Sequence, residues 1–174
     1  PQSLTVTTNT GVTATFQSVQ AIELYVATNG SDANPGTIDA PLLTLHAAVA
    51  AAFGGDVIYL RSGTHYYTST VNLAGHNTSN NPVLITSYPG ENAELNWSQW
   101  TPPNETVRGA ARGMKVTGSY WQLKNFAISY APDNGIKCEG HHNIFEQIVF
   151  HHNGDSGIQI GLNKEDYTTN PEPE

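Results

Sequence analysis

The chain has 174 residues with 16 Gly, 10 Pro, one Cys and no uninterrupted run of twelve apolar side chains, which reads as one soluble domain and excludes a disulfide scaffold, a membrane span and a coiled coil. Charged residues make up only 13% of it, and polarity comes instead from 19 Thr and 16 Asn, which suit pleated strands and tight turns and exclude a helical bundle. Seven Lys plus Arg against fifteen Asp plus Glu give a formal charge of −8, which excludes a nucleic-acid partner and requires any anionic ligand to meet local basicity.

Residues 1–23 read as an N-terminal extension. Pro1-Gln2-Ser3 carries neither an initiator Met nor an apolar signal core, so the sequence is expected to be a processed or shortened product. A short strand is predicted over 24–27, followed by the dense turn region Asn29-Gly30-Ser31-Asp32-Ala33-Asn34-Pro35-Gly36. The Ala-rich stretch 43–53 predicts the one convincing helix, entered through Thr44 or the Pro41 turn and stopped by Gly54-Gly55. Strands are predicted over 57–60, around Tyr66-Tyr67, over 83–86 and over 93–95, and 99–112, with Pro102-Pro103, reads as a loop.

From Gly113 the chain repeats. Gly113, Gly135 and Gly157 are spaced by 22 and 22, and in rows of that length apolar residues fall on apolar residues. Met114, Ile136 and Ile158 share a column, as do Val116, Cys138 and Ile160; Phe126 lies over Ile148, Ile128 over Phe150, Asp133 over Asp155, and Gly118 over Gly140. Within each row the apolar positions alternate in short runs bounded by turn residues, which predicts short strands. Two or three strands in 22 residues make one coil of a right-handed parallel β-helix, with columns stacked at about 4.8 Å. The Leu-x-x-Leu-x-Leu pattern of leucine-rich repeats is missing. The predicted fold is therefore an all-β solenoid over 24–162, and the helix at 43–53 is placed to cover the open end of the stack. Residues 163–174 read as a polar loop without a cap, so the sequence is expected to be the N-terminal piece of a longer solenoid.

Alternation points Met114, Ile136 and Ile158 inward and stacks Lys115, Lys137 and Gln159 in one outward column. Glu139, two residues beyond Lys137, is expected to offset its charge. Asp133 and Asp155 are expected to cap turns, with a bridging calcium as the alternative. His141-His142 and His151-His152 occupy turn-like places, and adjacent strand residues face opposite ways, so turn stacking is expected rather than metal ligation. Asn143 and Asn153 are expected to satisfy turn backbone groups, Cys138 to be a buried apolar residue, and Trp97, Trp100, Tyr120 and Trp121 to pack beneath the 99–112 loop, with stacking on sugar rings as the alternative. Sequons at Asn29, Asn77, Asn96 and Asn104 are candidate glycosylation sites and fit an extracellular protein.

Tyr25-Val26-Ala27-Thr28-Asn29-Gly30-Ser31-Asp32, with Pro35-Gly36-Thr37, Ala40-Pro41-Leu42-Leu43-Thr44-Leu45 and Gly55-Asp56-Val57-Ile58-Tyr59-Leu60, resembles the opening of secreted right-handed β-helix proteins that act on acidic polysaccharides. Asp133-Asn134-Gly135-Ile136, Asn143-Ile144-Phe145-Glu146 and Phe150-His151-His152-Asn153-Gly154-Asp155-Ser156-Gly157-Ile158-Gln159-Ile160 are similar to coils of polysaccharide lyase family nine, the calcium-dependent pectate lyases and their relatives. The resemblance implies β-elimination on pectate or a related uronide, with calcium held by an Asp cluster and a Lys as base. In the family those groups follow the Gly-Ile-Gln-Ile row, and no residue of this sequence is assigned to them. The resemblance also makes the outward column the candidate substrate face, with Lys115, Lys137, Glu139 and Gln159 as its residues; the alternative is two solvated lysines on an acidic surface. The implied partner is an acidic polysaccharide, met by a secreted monomer without membrane attachment. Two other functions stay open: a β-helix glycoside hydrolase, although no Asn-Thr-Asp or Gly-His-Gly signature is present, and a non-catalytic glycan-binding or adhesin-type β-helix.

Overall fold

The computed structural model describes residues 20–75 and 77–161. Most of the expected N-terminal extension and the expected loop 163–174 lie outside those residues. Strand β1 (Glu23–Val26) and helix α1 (Leu45–Ala51) precede a first coil of β2 (Val57–Leu60), β3 (Gly63–Tyr66) and β4 (Val71–Leu73). The next coil has β5 (Val83–Ser87) and β6 (Ala93–Asn96), then an insert carrying helix α2 (Glu105–Arg108), then β7 (Met114–Val116). Two shorter coils follow: β8 (Trp121–Lys124), β9 (Ala127–Ser129), β10 (Ile136–Cys138), and β11 (Ile144–Glu146), β12 (Val149–His151), β13 (Ile158–Ile160). Each coil gives one strand to each of three sheets: A, in the order β1-β2-β5-β8-β11; B, in the order β3-β6-β9-β12; and C, in the order β4-β7-β10-β13.

All sheet pairings are parallel, and in the last coils their register is the predicted period. Ile136 pairs with Met114 and with Ile158, Phe150 with Ile128, and Phe145 with Leu123. Side chains alternate, so the sheets send apolar columns inward, among them Leu24, Ile58, Ile85 and Leu123 from A, Leu95 and Ile128 from B, and Val71, Met114 and Ile136 from C, all buried. His65 occupies the first position of the sheet B column, paired with Leu95. Its Nε2 lies 2.9 Å from the Arg61 carbonyl, which assigns the ring proton there, and burial pushes its pKa below the usual value. Cys138 is buried in a second inward column of sheet C, after Leu73 and Val116, as expected of a small apolar residue.

The corners close by a second set of ladders. Asn143 Oδ1 accepts from Trp121 N at 2.9 Å while its Nδ2 donates to Gly118 O at 3.0 Å; Asn153 Oδ1 accepts from Ala131 N at 2.9 Å. These amides bind backbone one coil away, which is the turn role predicted for them. Gly118 and Gly140 share a column because a Cβ on either would strike the carbonyl of the glycine stacked against it, Gly75 O for Gly118 and Gly118 O for Gly140.

The helix is shorter than predicted. The amides of Leu43 and Thr44 are taken by Asp32 Oδ1, at 3.0 and 2.8 Å, so both stay outside it, and Thr44 Oγ1 caps the amide of Ala47. At the other end Ala52 is extended, and its amide closes the last turn on Ala48 O before Gly54 is reached. Leu45 and Ala48 are buried against the first coil, which is the capping place expected of the helix. The expected loop 99–112 contains α2, whose first turn is capped by Asn104 Oδ1 accepting from Val107 N at 3.0 Å. Strand β4 was not among the predicted elements; at three residues, with polar Asn72 at its centre, it carries too short an alternation to read.

Replacing Asn143 by Ala orphans the amide of Trp121 and the carbonyl of Gly118 together. Urea unfolding is expected to show a loss of about 2 kcal/mol. A loss below about 0.5 kcal/mol would mean that the amide ladder contributes little to coil cohesion.

Candidate functional site

Four cationic side chains of the acidic chain lie on neighbouring elements. Of its seven cationic side chains, Arg108, Arg112, Lys115 and Lys137 lie on the insert between β6 and β7 or on the outer face of sheet C. Lys115, Lys137 and Gln159 pair in register as one outward column across β7, β10 and β13, as alternation predicted, and Asn72 on β4, which was not foreseen, extends it by one coil. Glu139 does not offset Lys137. It lies just past the end of β10 and reaches back one coil to Lys115, with Nζ–Oε2 at 3.2 Å and its own side chain only 9% exposed. The pair is a diagonal one across neighbouring coils, a separation that these two long side chains can bridge. Lys137 makes no ion pair among the described residues, so its ammonium is available to an external anion. By contrast, the outer side of sheet A is internally paired. Arg61 is held bidentate by Glu91 and lies 4.8 Å over the Tyr88 ring, beside the Tyr25, Tyr59 and Tyr88 cluster.

Asp133 and Asp155 do not form an open carboxylate pair. Arg112 Nε lies 3.3 Å from Asp133 Oδ2, a charge contact without hydrogen-bond alignment, and Asp155 Oδ2 accepts from Asn134 Nδ2 at 3.1 Å. Among the described residues, no three His, Cys, Asp or Glu side chains converge on a point where a metal ion would sit. A hard cation such as calcium needs six to eight oxygen ligands, and this donor set does not fit it.

Three corner ladders put non-glycine residues at positive φ one repeat apart: Tyr120 and His142, Asn125 and Gln147, Tyr130 and His152, all between 53° and 60°. The rings stack, Tyr120 on His142 at 4.8 Å and Tyr130 on His152 at 4.9 Å, so the expected turn stacking is present. The expectation that adjacent histidines face apart is corrected for one pair. His152 at φ 56° has left the strand, and its Nδ1 meets His151 Nδ1 at 2.9 Å.

Behind this pair is a polar cluster on the outer face of sheet B. Glu94 Oε1 accepts from Ser129 Oγ and from Asn96 Nδ2, and lies 3.7 Å from His151 Nε2. These hydrogen bonds, Ser129 first, hold the Glu94 carboxyl below its ordinary range. Beside it a cleft of about 240 Å³ is lined by Trp97, Trp100, Arg108, Tyr130, Pro132 and His152. Trp97 is buried, stacked 5.2 Å from Tyr67 with its Nε1 bonded to Ser69 O, whereas Trp100 is half-buried on the cleft wall. Trp121 is buried in the core below sheet A rather than beneath the insert. Glu94 and Arg108 were not singled out in the sequence, because both precede the regular rows and no repeat marks their direction. Of the sequons, Asn29 and Asn104 are exposed and Asn77 is half-buried, whereas Asn96 is 6% exposed with its side chain bonded to Glu94 and Ser98.

Residues 24–171 match the family described as the Pel9A-like right-handed β-helix region. The chain belongs to that family. It is 35% identical over 150 residues to pectate lyase L of Paenibacillus polymyxa, covering 85% of this chain and 32% of that protein. It is 31% identical over 153 residues to pectate lyase PEL9 of Emericella nidulans, covering 84% and 37%. Among solved structures it superposes on pectate lyase Pel9A with a TM-score of 0.70 and 30% identity, covering 82% of this chain and 36% of that one. A rhamnogalacturonan lyase at 21% identity and TM-score 0.67 shares the fold. The chain thus spans about a third of the length of these pectate lyases, and membership in the Pel9A-like family fixes the hand of the solenoid as right-handed.

Because the Glu94 pKa is depressed below 4.5 in the folded state, its stabilising effect is complete above the unfolded-state value and is lost as pH falls through the folded one. Glu94→Gln is expected to flatten the stability profile below about pH 4.5 relative to the unsubstituted protein, followed by urea unfolding. Parallel profiles for the two proteins would contradict the assigned hydrogen bonds.

Proposed function

We propose that this chain is part of a secreted, calcium-dependent polysaccharide lyase that cleaves pectate or a related acidic polysaccharide by β-elimination. The observation that carries the proposal is the match over residues 24–171 to a family whose named relatives are pectate lyases. The charge pattern supports it: in a chain of net charge −8 a polyuronide needs local cations, and Lys137, without an ion pair among the described residues, stands on the outer face of sheet C. A uronide laid across sheet C meets Lys137, with Gln159 and Asn72 in the same column as hydrogen-bonding partners for sugar hydroxyls. Lys115, held by Glu139, adds less.

The elimination removes the proton from the carbon beside the uronate carboxylate and expels the glycosidic oxygen from the next carbon, leaving an unsaturated sugar. The residues described here bind and orient. Asp133 and Asp155 are engaged by Arg112 and Asn134, so calcium ligation is assigned to other residues, as is the base. No helix among the described residues is long and apolar enough to cross a membrane, and exposed Asn29 and Asn104 are the sequons best placed for a glycan on a secreted protein; buried Asn96 is not.

Incubating the intact protein with polygalacturonate is expected to raise the ultraviolet absorbance of unsaturated product, and a calcium chelator is expected to abolish the rise. Reducing ends without absorbance would instead identify a hydrolase, and binding without either product a non-catalytic glycan binder. Lys137→Ala is expected to raise KM for polygalacturonate by about three- to tenfold, more so at low ionic strength, with little change in melting temperature. An unchanged KM would remove Lys137 from the substrate face.

A further inference from the structure

The cleft between the insert and the Tyr130–His152 stack is not accounted for by coil stacking. We propose that it is a binding subsite for one carboxylate-bearing pyranose ring of an acidic polysaccharide, at the corner between sheets B and C; the proposal rests on the uronide reading above and adds a site distinct from the Lys137 column. Its size selects the ligand. About 240 Å³ lies below the roughly 300–1,000 Å³ of pockets that enclose drug-sized molecules, so the occupant is a single ring of a longer chain that continues into solvent.

Its chemistry selects the ring. A pyranose has an apolar C–H face and a rim of hydroxyls, which suits an aromatic surface with one polar edge. Tyr130 is 42% exposed, and Trp100 lines the same cleft. Arg108, also on the wall, presents a planar fork of donors that matches a carboxylate. Aromatic faces and a guanidinium around one small cavity match a sugar acid better than a neutral sugar or a simple anion.

The site is also preorganised. Tyr130 and His152 are near-parallel, with 8° between ring planes, and both backbones are locked at φ 56°. His151 fixes the second ring from behind through the Nδ1–Nδ1 contact at 2.9 Å, and Glu94, itself anchored by Ser129 and Asn96, stands 3.7 Å beyond His151. A rigid platform loses little side-chain entropy on binding, which an exposed, mobile ring would. The face of this corner is therefore shaped before the ligand arrives.

The test is calorimetric titration of the intact protein with tetragalacturonate and with a neutral galactose tetramer. Tyr130→Ala and Arg108→Gln are each expected to weaken tetragalacturonate binding at least about fivefold, and Arg108→Gln to leave the neutral tetramer unaffected. Tyr120→Ala, which removes the equivalent stack at the other corner, is the structural control and is expected to leave binding within about twofold. Arg108 is exposed, and an unchanged melting temperature for Arg108→Gln separates ligand loss from unfolding. If both cleft variants bind tetragalacturonate like the unsubstituted protein, the subsite is overturned; a concurrent loss in Lys137→Ala would leave the uronide reading standing. If the unsubstituted protein binds no uronide at all, the reading and the subsite fall together.

Discussion

Each coil of this solenoid hydrogen-bonds almost entirely to the coils above and below it, because a parallel strand has no hairpin partner and must find its ladder in the next turn of the chain. Repetition is the consequence. Any residue that appears once per coil meets its own kind at about 4.8 Å, so each column must be tolerant of self-contact. Apolar columns satisfy this by packing, Asn columns by bonding backbone one coil away, and ring columns by stacking, as with Tyr120 on His142. Glycine satisfies it where turn carbonyls press directly on the next coil. Charge is the exception, and the structure treats it as one. Lys115 below Lys137 is drawn aside by Glu139, while Asp133 and Asp155 are separated by engagement with Arg112 and Asn134.

That constraint explains which parts of the fold could be read from the sequence. From Gly113 onward the rows are short and regular, so the inward column of Met114, Ile136 and Ile158 and the outward column of Lys115, Lys137 and Gln159 follow from alternation alone. The strands 57–60 and 83–86 were legible from their apolar runs, but not their register. The residue offsets are 27 between β2 and β5, 38 between β5 and β8 and 43 between β4 and β7, so no single period aligns them. The helix was legible in kind but not in extent, because Asp32, twelve residues before its cap, claims the amides of Leu43 and Thr44. Such a capture depends on three-dimensional proximity that no local pattern encodes.

The candidate site was legible where it is periodic and hidden where it is not. Strand alternation assigned Lys137 its face, yet it also suggested Glu139 as that lysine's partner, an error of thinking along one strand rather than across coils. It likewise separated His151 from His152, because alternation holds only while the backbone is extended, and His152 turns at φ 56°. Asn96 shows the same limit in another form: its sequon is plain in the sequence, but the outward side of β6 is covered, and the amide is spent on Glu94 and Ser98.

A strictly repeating solenoid has a further limitation. Its ladders produce flat faces on which every rung resembles the last, whereas recognition of a particular ligand needs unlike groups around one concavity. The 97–112 insert supplies that asymmetry. It interrupts the coil between β6 and β7, and its Trp100 and Arg108 stand against Tyr130 and His152, which belong to the regular rows. The repeat provides rigidity and a stacked aromatic edge; the interruption provides a cation and a wall. Neither part alone makes a cleft, and so the same departure from periodicity that hides this corner from a row-by-row reading is what gives it chemical character.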